Sequence, residues 1–185
     1  MTFNPIQRSE KVRASTFNQR FQAMEDRINN FNPSQDVLVD WTVLASPLSR
    51  IEISAIPPGY PALLLLARTK CGNSGFLRFN NDSTAGNYKD QTVQNFGGSL
   101  FLEGIGYFRV VSTSGNFAIW RFLLVNYTAT VVNLLGKSVG ADSGSGIYHA
   151  NSAGQYLNGP ITSIQIDGLS NHAVGTAYAL YGLKS

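Results

Sequence analysis

The apolar positions of this 185-residue chain change period once. Phe17, Phe21, Met24, Ile28 and Phe31 are spaced by four, three, four and three residues, the heptad spacing of a helix with one apolar seam. After Pro33 the spacing drops to alternation and to short unbroken apolar runs, which is the signature of strands. The pattern predicts a short N-terminal helix over an arm of residues 1–35, followed by a β domain over residues 36–185.

The seam places Phe21 and Ile28 at a and Phe17, Met24 and Phe31 at d. Arg20 then falls at g and Glu25 at e, the positions that face each other between parallel helices. An exposed pair of that kind is worth about 0.3–0.5 kcal/mol, enough to set orientation rather than stability. Thr16 and Gln19 have the spacing of a capping box, and Asn29, Asn30, Asn32 and Pro33 mark the stop. A helix of about 15 residues is marginal alone in water, so the seam needs a partner. Two partners predict the same stripe: further copies of the chain, or the chain's own β domain. Three large aromatics on two heptads need the volume of a three-helix bundle, so the oligomer expected is a homotrimer. Its oligomerisation and attachment residues are Phe17, Arg20, Phe21, Met24, Glu25, Ile28 and Phe31.

Strands are expected at residues 41–45, 49–56, 63–67 and 76–79, then at about 99–103, 106–112, 117–126, 129–135, 161–167 and 176–182. Ile51 and Ile53 should point inward with Glu52 and Ser54 outward. Leu63 to Ala67 reads as a strand buried on both faces, and Leu77 and Phe79 should lie opposite Arg78. Pro57-Pro58-Gly59 is a turn. Asn80 to Asn87 is a loop of residues that tolerate left-handed backbone. Residues 140–160, rich in Gly, Ser and Asn, are expected as a mobile loop at one end, and Gly136 as a separator. Eight to ten strands at this spacing form a sandwich or barrel, and the absence of an internal repeat argues against a propeller or β-helix. The fold class expected is mainly β: an antiparallel sandwich, jelly-roll-like, preceded by one helix.

Composition narrows the function. Charged residues make up only 14% of the chain, below the usual quarter, as in a turn-rich β protein with 18 glycines. The net charge of +3 is mild, and Arg8, Lys11, Arg13, Arg20 and Arg27 carry much of it. The β domain is then near neutral, without the dense basic face of a nucleic-acid binder. Met1 to Glu10 is polar, unlike a signal peptide, and no apolar run is long enough to insert in a membrane. Cys71 is the single cysteine, so no disulfide forms within the chain.

The chemistry is sparse. His149 and His172 have no metal-like partner at i+2 or i+4. Asp90, Glu103, Asp142 and Asp167 could form a glycosidase pair only by tertiary accident. The oxygen side chains of Asn80, Asp82 and Thr84 leading to Gly86 recur as in a calcium loop, but with one carboxylate and no bidentate Glu at its end, so a turn network is expected. No enzyme and no cofactor follow. Trp120 alternates with core positions and should be packed. Tyr127, Tyr148 and Tyr156 are also available, and Tyr148 and Tyr156 fall in the expected 140–160 loop, where an aromatic could meet a host surface.

The order of short motifs is more telling than any one of them. Ile56-Pro57-Pro58-Gly59-Tyr60 is followed by Phe76-Leu77-Arg78-Phe79-Asn80-Asn81-Asp82 through Gly86-Asn87-Tyr88. Ile161-Thr162-Ser163-Ile164-Gln165-Ile166 and Ala177-Tyr178-Ala179-Leu180-Tyr181-Gly182-Leu183 close the chain. Over residues 41–185 this resembles a family of tailed-bacteriophage virion proteins with a C-terminal β-sandwich, of the tail-fibre, appendage or capsid-decoration type. Val12-Arg13-Ala14-Ser15-Thr16-Phe17-Asn18 resembles the openings of phage tail-fibre proteins. The loop after Asn73 is short here, whereas relatives carry a longer insert. The resemblance implies a non-catalytic, trimeric structural protein of the virion. It would be a tail-fibre or appendage subunit that displays its sandwich for receptor binding and host attachment, or a cement protein on the major capsid protein. Its expected partners are itself, other phage structural proteins of the baseplate, tail or capsid, and a glycan or protein of the host surface.

Overall fold

In the computed structural model, the described residues are 36–70, 75–94, 99–103, 106–110, 117–142 and 146–184. They belong to the unit Pro33–Ser185. The N-terminal helix and its seam residues lie outside the described residues.

The described part is mainly β. Its strands are β1 (Val37–Val43), β2 (Leu48–Ile53), β3 (Ala62–Thr69), β4 (Gly75–Phe79), β5 (Tyr88–Gln94) and β6 (Ser99–Glu103), then β7 (Phe108–Val110), β8 (Ala118–Val125), β9 (Val132–Asp142), β10 (Gly146–Tyr156), β11 (Ile164–His172) and β12 (Ala177–Leu183). One 3-10 turn, Ala85–Asn87, precedes β5. Eight strands form a sheet in the order β1-β12-β3-β8-β9-β10-β5-β6, and four form a second in the order β2-β11-β4-β7. Neighbouring strands run antiparallel throughout.

The two sheets share one hydrophobic cluster. Ile51, Ile53, Leu77, Phe79, Phe108, Ile164 and Ile166 enter it from the smaller sheet, and Leu63, Leu65, Trp120, Phe122, Leu124, Leu134 and Leu180 from the larger. Alternation decides which side chains these are, because successive residues of a strand point to opposite faces. Ile51 and Ile53 are buried while Glu52 and Ser54 are exposed. Leu64, Leu123 and Leu135 occupy the other face of the larger sheet and are buried as well, so β3 is covered on both sides.

The segment expected as a mobile loop is largely strand. β9 and β10 pair over eleven residues, from Val132↔Tyr156 to Asp142↔Gly146, and β5, which the apolar pattern did not predict, pairs with β10. The physical reason is the packing of aromatic rings from other strands over the glycines. A Cβ on Gly136 would lie 2.2 Å from the Phe122 ring, and one on Gly154 would lie 2.4 Å from both Phe108 Cε1 and the Lys89 carbonyl oxygen. These glycines are small because rings lie over them, not because the chain turns there. Gly136 therefore sits inside β9 rather than between strands.

β11 carries the sharpest irregularity. Asp167 pairs with Arg50 and His172 with Leu48, so the stretch between Asp167 and His172 bulges against two steps of β2. His172 is fully buried, and its Nε2 donates to the Ile166 carbonyl at 3.0 Å, closing the bulge. Nδ1 is then a buried acceptor with no hydrogen-bond partner. Burial pushes the imidazole pKa below its ordinary value, against the opposing pull of the Ile166 bond and Asp167. The unfolded chain takes up a proton near pH 6.5 that the folded chain refuses until lower pH. Stability is therefore expected to fall as pH drops through about 6.5. Urea titrations in steps of pH should show that loss in the native chain and a flatter profile in His172→Gln.

Candidate functional site

The loop between β4 and β5 brings two of the four resemblance motifs, 76–88 and 161–166, to one place. Asn80 and Asn81 have φ of 54° and 55°, the left-handed region that Asn tolerates better than most residues. That double bend turns both side chains to work. Asn80 Oδ1 accepts from the Thr162 N–H at 2.8 Å and the Ser163 N–H at 3.2 Å, and its Nδ2 donates to the Pro160 carbonyl at 2.7 Å. The Asn81 N–H donates to Gln165 Oε1 at 3.0 Å. Asn80 and Asn81 thereby bind the exit of β4 to the segment that leads into β11.

Asp82 is the centre of the loop. Its carboxylate accepts from the Thr84 N–H at 2.8 Å, Asn87 Nδ2 at 2.7 Å, the Tyr156 hydroxyl at 3.0 Å and Asn158 Nδ2 at 3.3 Å. Its backbone carbonyl accepts from the Tyr88 hydroxyl at 2.8 Å, which in turn accepts the Phe79 N–H at 3.1 Å. Partial burial disfavours the charge on Asp82, but the bonds from the Thr84 backbone, Asn87, the Thr84 side chain and Asn158 outweigh it and hold the carboxyl below the usual carboxylate range. Burial and the bond to Asp82 push the Tyr156 hydroxyl up to about 12. Burial likewise raises Tyr88. Both tyrosines are uncharged donors at neutral pH.

The arrangement is a turn network rather than a cation site. A calcium ion needs a shell of oxygens, whereas the Asp82 carboxylate faces N–H and O–H donors. Among the described residues no cluster of three His, Cys, Asp or Glu side chains has metal-ligating geometry. Asp82→Ala should cost about 1.5–3 kcal/mol at neutral pH, the usual range for hydrogen bonds to a charged group. A depressed carboxyl contributes fully above the ordinary carboxylate pKa of about 3.9 and loses that contribution as pH falls below it. The gap between wild type and Asp82→Ala in thermal unfolding should accordingly shrink toward acid.

A second polar group lies on the smaller sheet. Asp167 is clasped by Arg50 Nε at 2.5 Å and Arg78 Nη1 at 3.2 Å, and Arg50 Nη1 reaches Asn81 Oδ1 at 3.2 Å. Both carboxylate oxygens of Asp167 accept from a guanidinium group. Asp90 and Glu103 lie on adjacent strands, but Glu103 sits opposite Lys89, one register step from Asp90. Asp90 and Asp167 belong to different sheets, on β5 and β11.

The aromatic residues are placed differently from the sequence reading. Tyr156 is fully buried, its ring 5.2 Å from Phe79 and 5.0 Å from Tyr88, and is not a surface-recognition residue. Its hydroxyl is needed at Asp82, which fixes the ring at the inner end of β10. Tyr148 lies within β10 opposite Gly140 rather than in a loop. Tyr127 and Trp120 are packed in the core, with the Tyr127 hydroxyl donating to the Pro57 carbonyl. The exposed tryptophan is Trp41, 62% accessible on β1. Its signal in the sequence is that apolar residues of Val37–Val43 fall at successive positions (Val37, Leu38, Val39) as well as at Trp41 and Val43, more than one face of a strand can bury. The seam residues Phe17, Arg20, Phe21, Met24, Glu25, Ile28 and Phe31 lie outside the described residues. No family model, no curated protein and no solved structure matches the chain.

Proposed function

We propose that the chain is a structural protein of a bacteriophage virion, a trimeric tail-fibre or appendage subunit that attaches by its N-terminus and displays a jelly-roll sandwich. Strand order is the observation that carries this reading. With the hairpins β5–β6 and β9–β10 set aside as insertions, eight strands remain. One sheet then reads first, eighth, third, sixth, and the other second, seventh, fourth, fifth. We read that order as two interleaved Greek keys, the jelly roll of viral capsid and lectin domains. A fold alone does not fix a function, but here it agrees with the motif order. The motif residues Asn80, Asp82, Tyr88 and Thr162 meet in one loop network, as expected of a pattern that marks an architecture rather than a catalytic centre. The role proposed is non-catalytic.

The exposed apolar edge at β1, directly after the arm, favours a second reading: a capsid decoration protein held on the major capsid protein by its N-terminus. Immunogold labelling of purified particles separates the two. Label confined to the tail or its tip supports the appendage, and label on the capsid faces supports the cement protein. A chain absent from purified particles overturns both. The trimer is tested by sedimentation of the full chain. Phe21→Asp with Ile28→Asp should convert a trimer into monomers at micromolar concentration, because each bundle would have to desolvate carboxylates together.

A further inference from the structure

Asn158-Gly159 is the single Asn-Gly dipeptide of the chain. Asparagine is most reactive before glycine, because no Cβ on the following residue hinders attack of its backbone nitrogen on the Asn amide carbon. The fold requires this glycine. A Cβ at Gly159 would lie 2.0 Å from the Ala129 carbonyl oxygen and 3.1 Å from Val132 Cγ2. Asn158 is exposed, so water reaches its side chain.

Hydrogen bonds tie both reacting groups. Asn158 Nδ2 donates to Asp82 Oδ2 at 3.3 Å, and the Gly159 N–H donates to the Thr130 carbonyl at 2.8 Å. The flanking residues are held as well: the Leu157 N–H donates to the Asn87 carbonyl at 2.9 Å, and the Ile161 N–H to the Tyr127 carbonyl at 2.7 Å. Cyclisation joins Gly159 N to Asn158 Cγ and breaks the Cγ–Nδ2 bond, and ammonia leaves with the proton that Gly159 N gives up. The resulting succinimide has no N–H at Gly159, so the Thr130 bond must open first. The Asp82 bond is lost with the departing amide. Water then adds to one of the two imide carbonyls and leaves Asp or isoaspartate at position 158. Either product sets a carboxylate where an N–H donor met Asp82. Isoaspartate also adds a methylene to the backbone beside Gly159, where the Ala129 carbonyl leaves no room.

We propose that Asn158 is a deamidation site gated by the Asp82 network: the closed network protects it, and its conversion keeps the network from closing again. The test follows deamidation of the full chain at mildly alkaline pH, by mass spectrometry of its peptides, in native wild type, in wild type unfolded in urea and in Asp82→Ala. In urea, Asn158 should convert faster than Asn73 and Asn151, which precede serines. A slower Asn158 overturns its assignment as the reactive site. Native wild type should convert at Asn158 at least about tenfold more slowly than the unfolded chain, the factor for opening one hydrogen bond to a charged group. Equal rates overturn the gate, and this comparison needs no variant. Asp82→Ala, its fold verified by circular dichroism, should convert about tenfold faster than native wild type, and an unchanged rate overturns the role given to Asp82. Asn158→Asp reads the consequence directly. It should melt lower than Asn158→Ala at neutral pH, and the gap should close as pH falls below about 4, where one of the two facing carboxylates takes up a proton. Equal melting at neutral pH overturns the conflict between a carboxylate at 158 and the Asp82 network.

Discussion

Trp120→Ala is expected to lower the free energy of unfolding by about 3–5 kcal/mol, the range for truncating a large buried aromatic. Trp120 is fully buried in the shared cluster. It comes from β8 of the larger sheet, and its ring crosses to the smaller one, where a Cβ on Gly75 would lie 2.4 Å from Cη2. Removing the indole therefore opens a void between the sheets, and the backbone at Gly75 has no side chain with which to fill it. The indole Nε1 has no hydrogen-bond partner, so Trp120→Phe avoids stranding any group and should cost much less than Trp120→Ala. Guanidinium chloride unfolding of the two variants tests this. Equal losses would mean that the site collapses freely and that the ring is not a spacer between the sheets.

Gly136→Ala and Gly154→Ala are expected to destabilise by about 1–3 kcal/mol each, as overpacking does, but to respond differently to a second change. The three atoms nearest a Cβ on Gly136 all belong to the Phe122 ring, at 2.2, 2.6 and 2.8 Å. Phe122→Leu frees that space, so the double variant should be less destabilised than the sum of the singles by about 0.5–3 kcal/mol. At Gly154 the Phe108 ring is one obstacle and the Lys89 carbonyl oxygen, at 2.4 Å, is the other. That carbonyl belongs to β5, the partner of β10, and cannot rotate away. Phe108→Leu should give little rescue of Gly154→Ala. Urea unfolding of both cycles measures the contrast, and equal rescue at the two positions would show that the sheet backbone yields as readily as a side chain.

These positions also explain how far the sequence could be read. Alternation at Ile51–Ser54, the apolar run at Leu63–Ala67 and the Leu77/Phe79 pair predicted strands and faces that the structure contains, since period and hydrophobicity are local properties. The turn at Asn80–Asn87 was legible for the same reason, because the tolerance of Asn for left-handed backbone belongs to the residue itself. Gly136 and Gly154 misled, because a glycine under a ring from another strand looks in sequence like a glycine in a turn. Tyr156 misled in a related way. Surrounded by Gln, Asn and Gly, it reads as a loop residue, and only the carboxylate of Asp82, 74 positions away, makes it an internal donor.

The amino-acid sequence by itself determined a change of period near Pro33, a mainly β domain after it, the inward faces of its apolar strands and the motif order that resembles phage virion proteins. The tertiary structure decided which strands are neighbours, why the glycine-rich segment is strand, where the loop motifs converge and which apolar face stays open at β1. The physical reason is range. Periodicity and backbone tolerance act within a few residues, whereas the fit of Phe122 over Gly136, the grip of Tyr156 on Asp82 and the exposure of Trp41 arise only when segments distant in the chain are brought side by side.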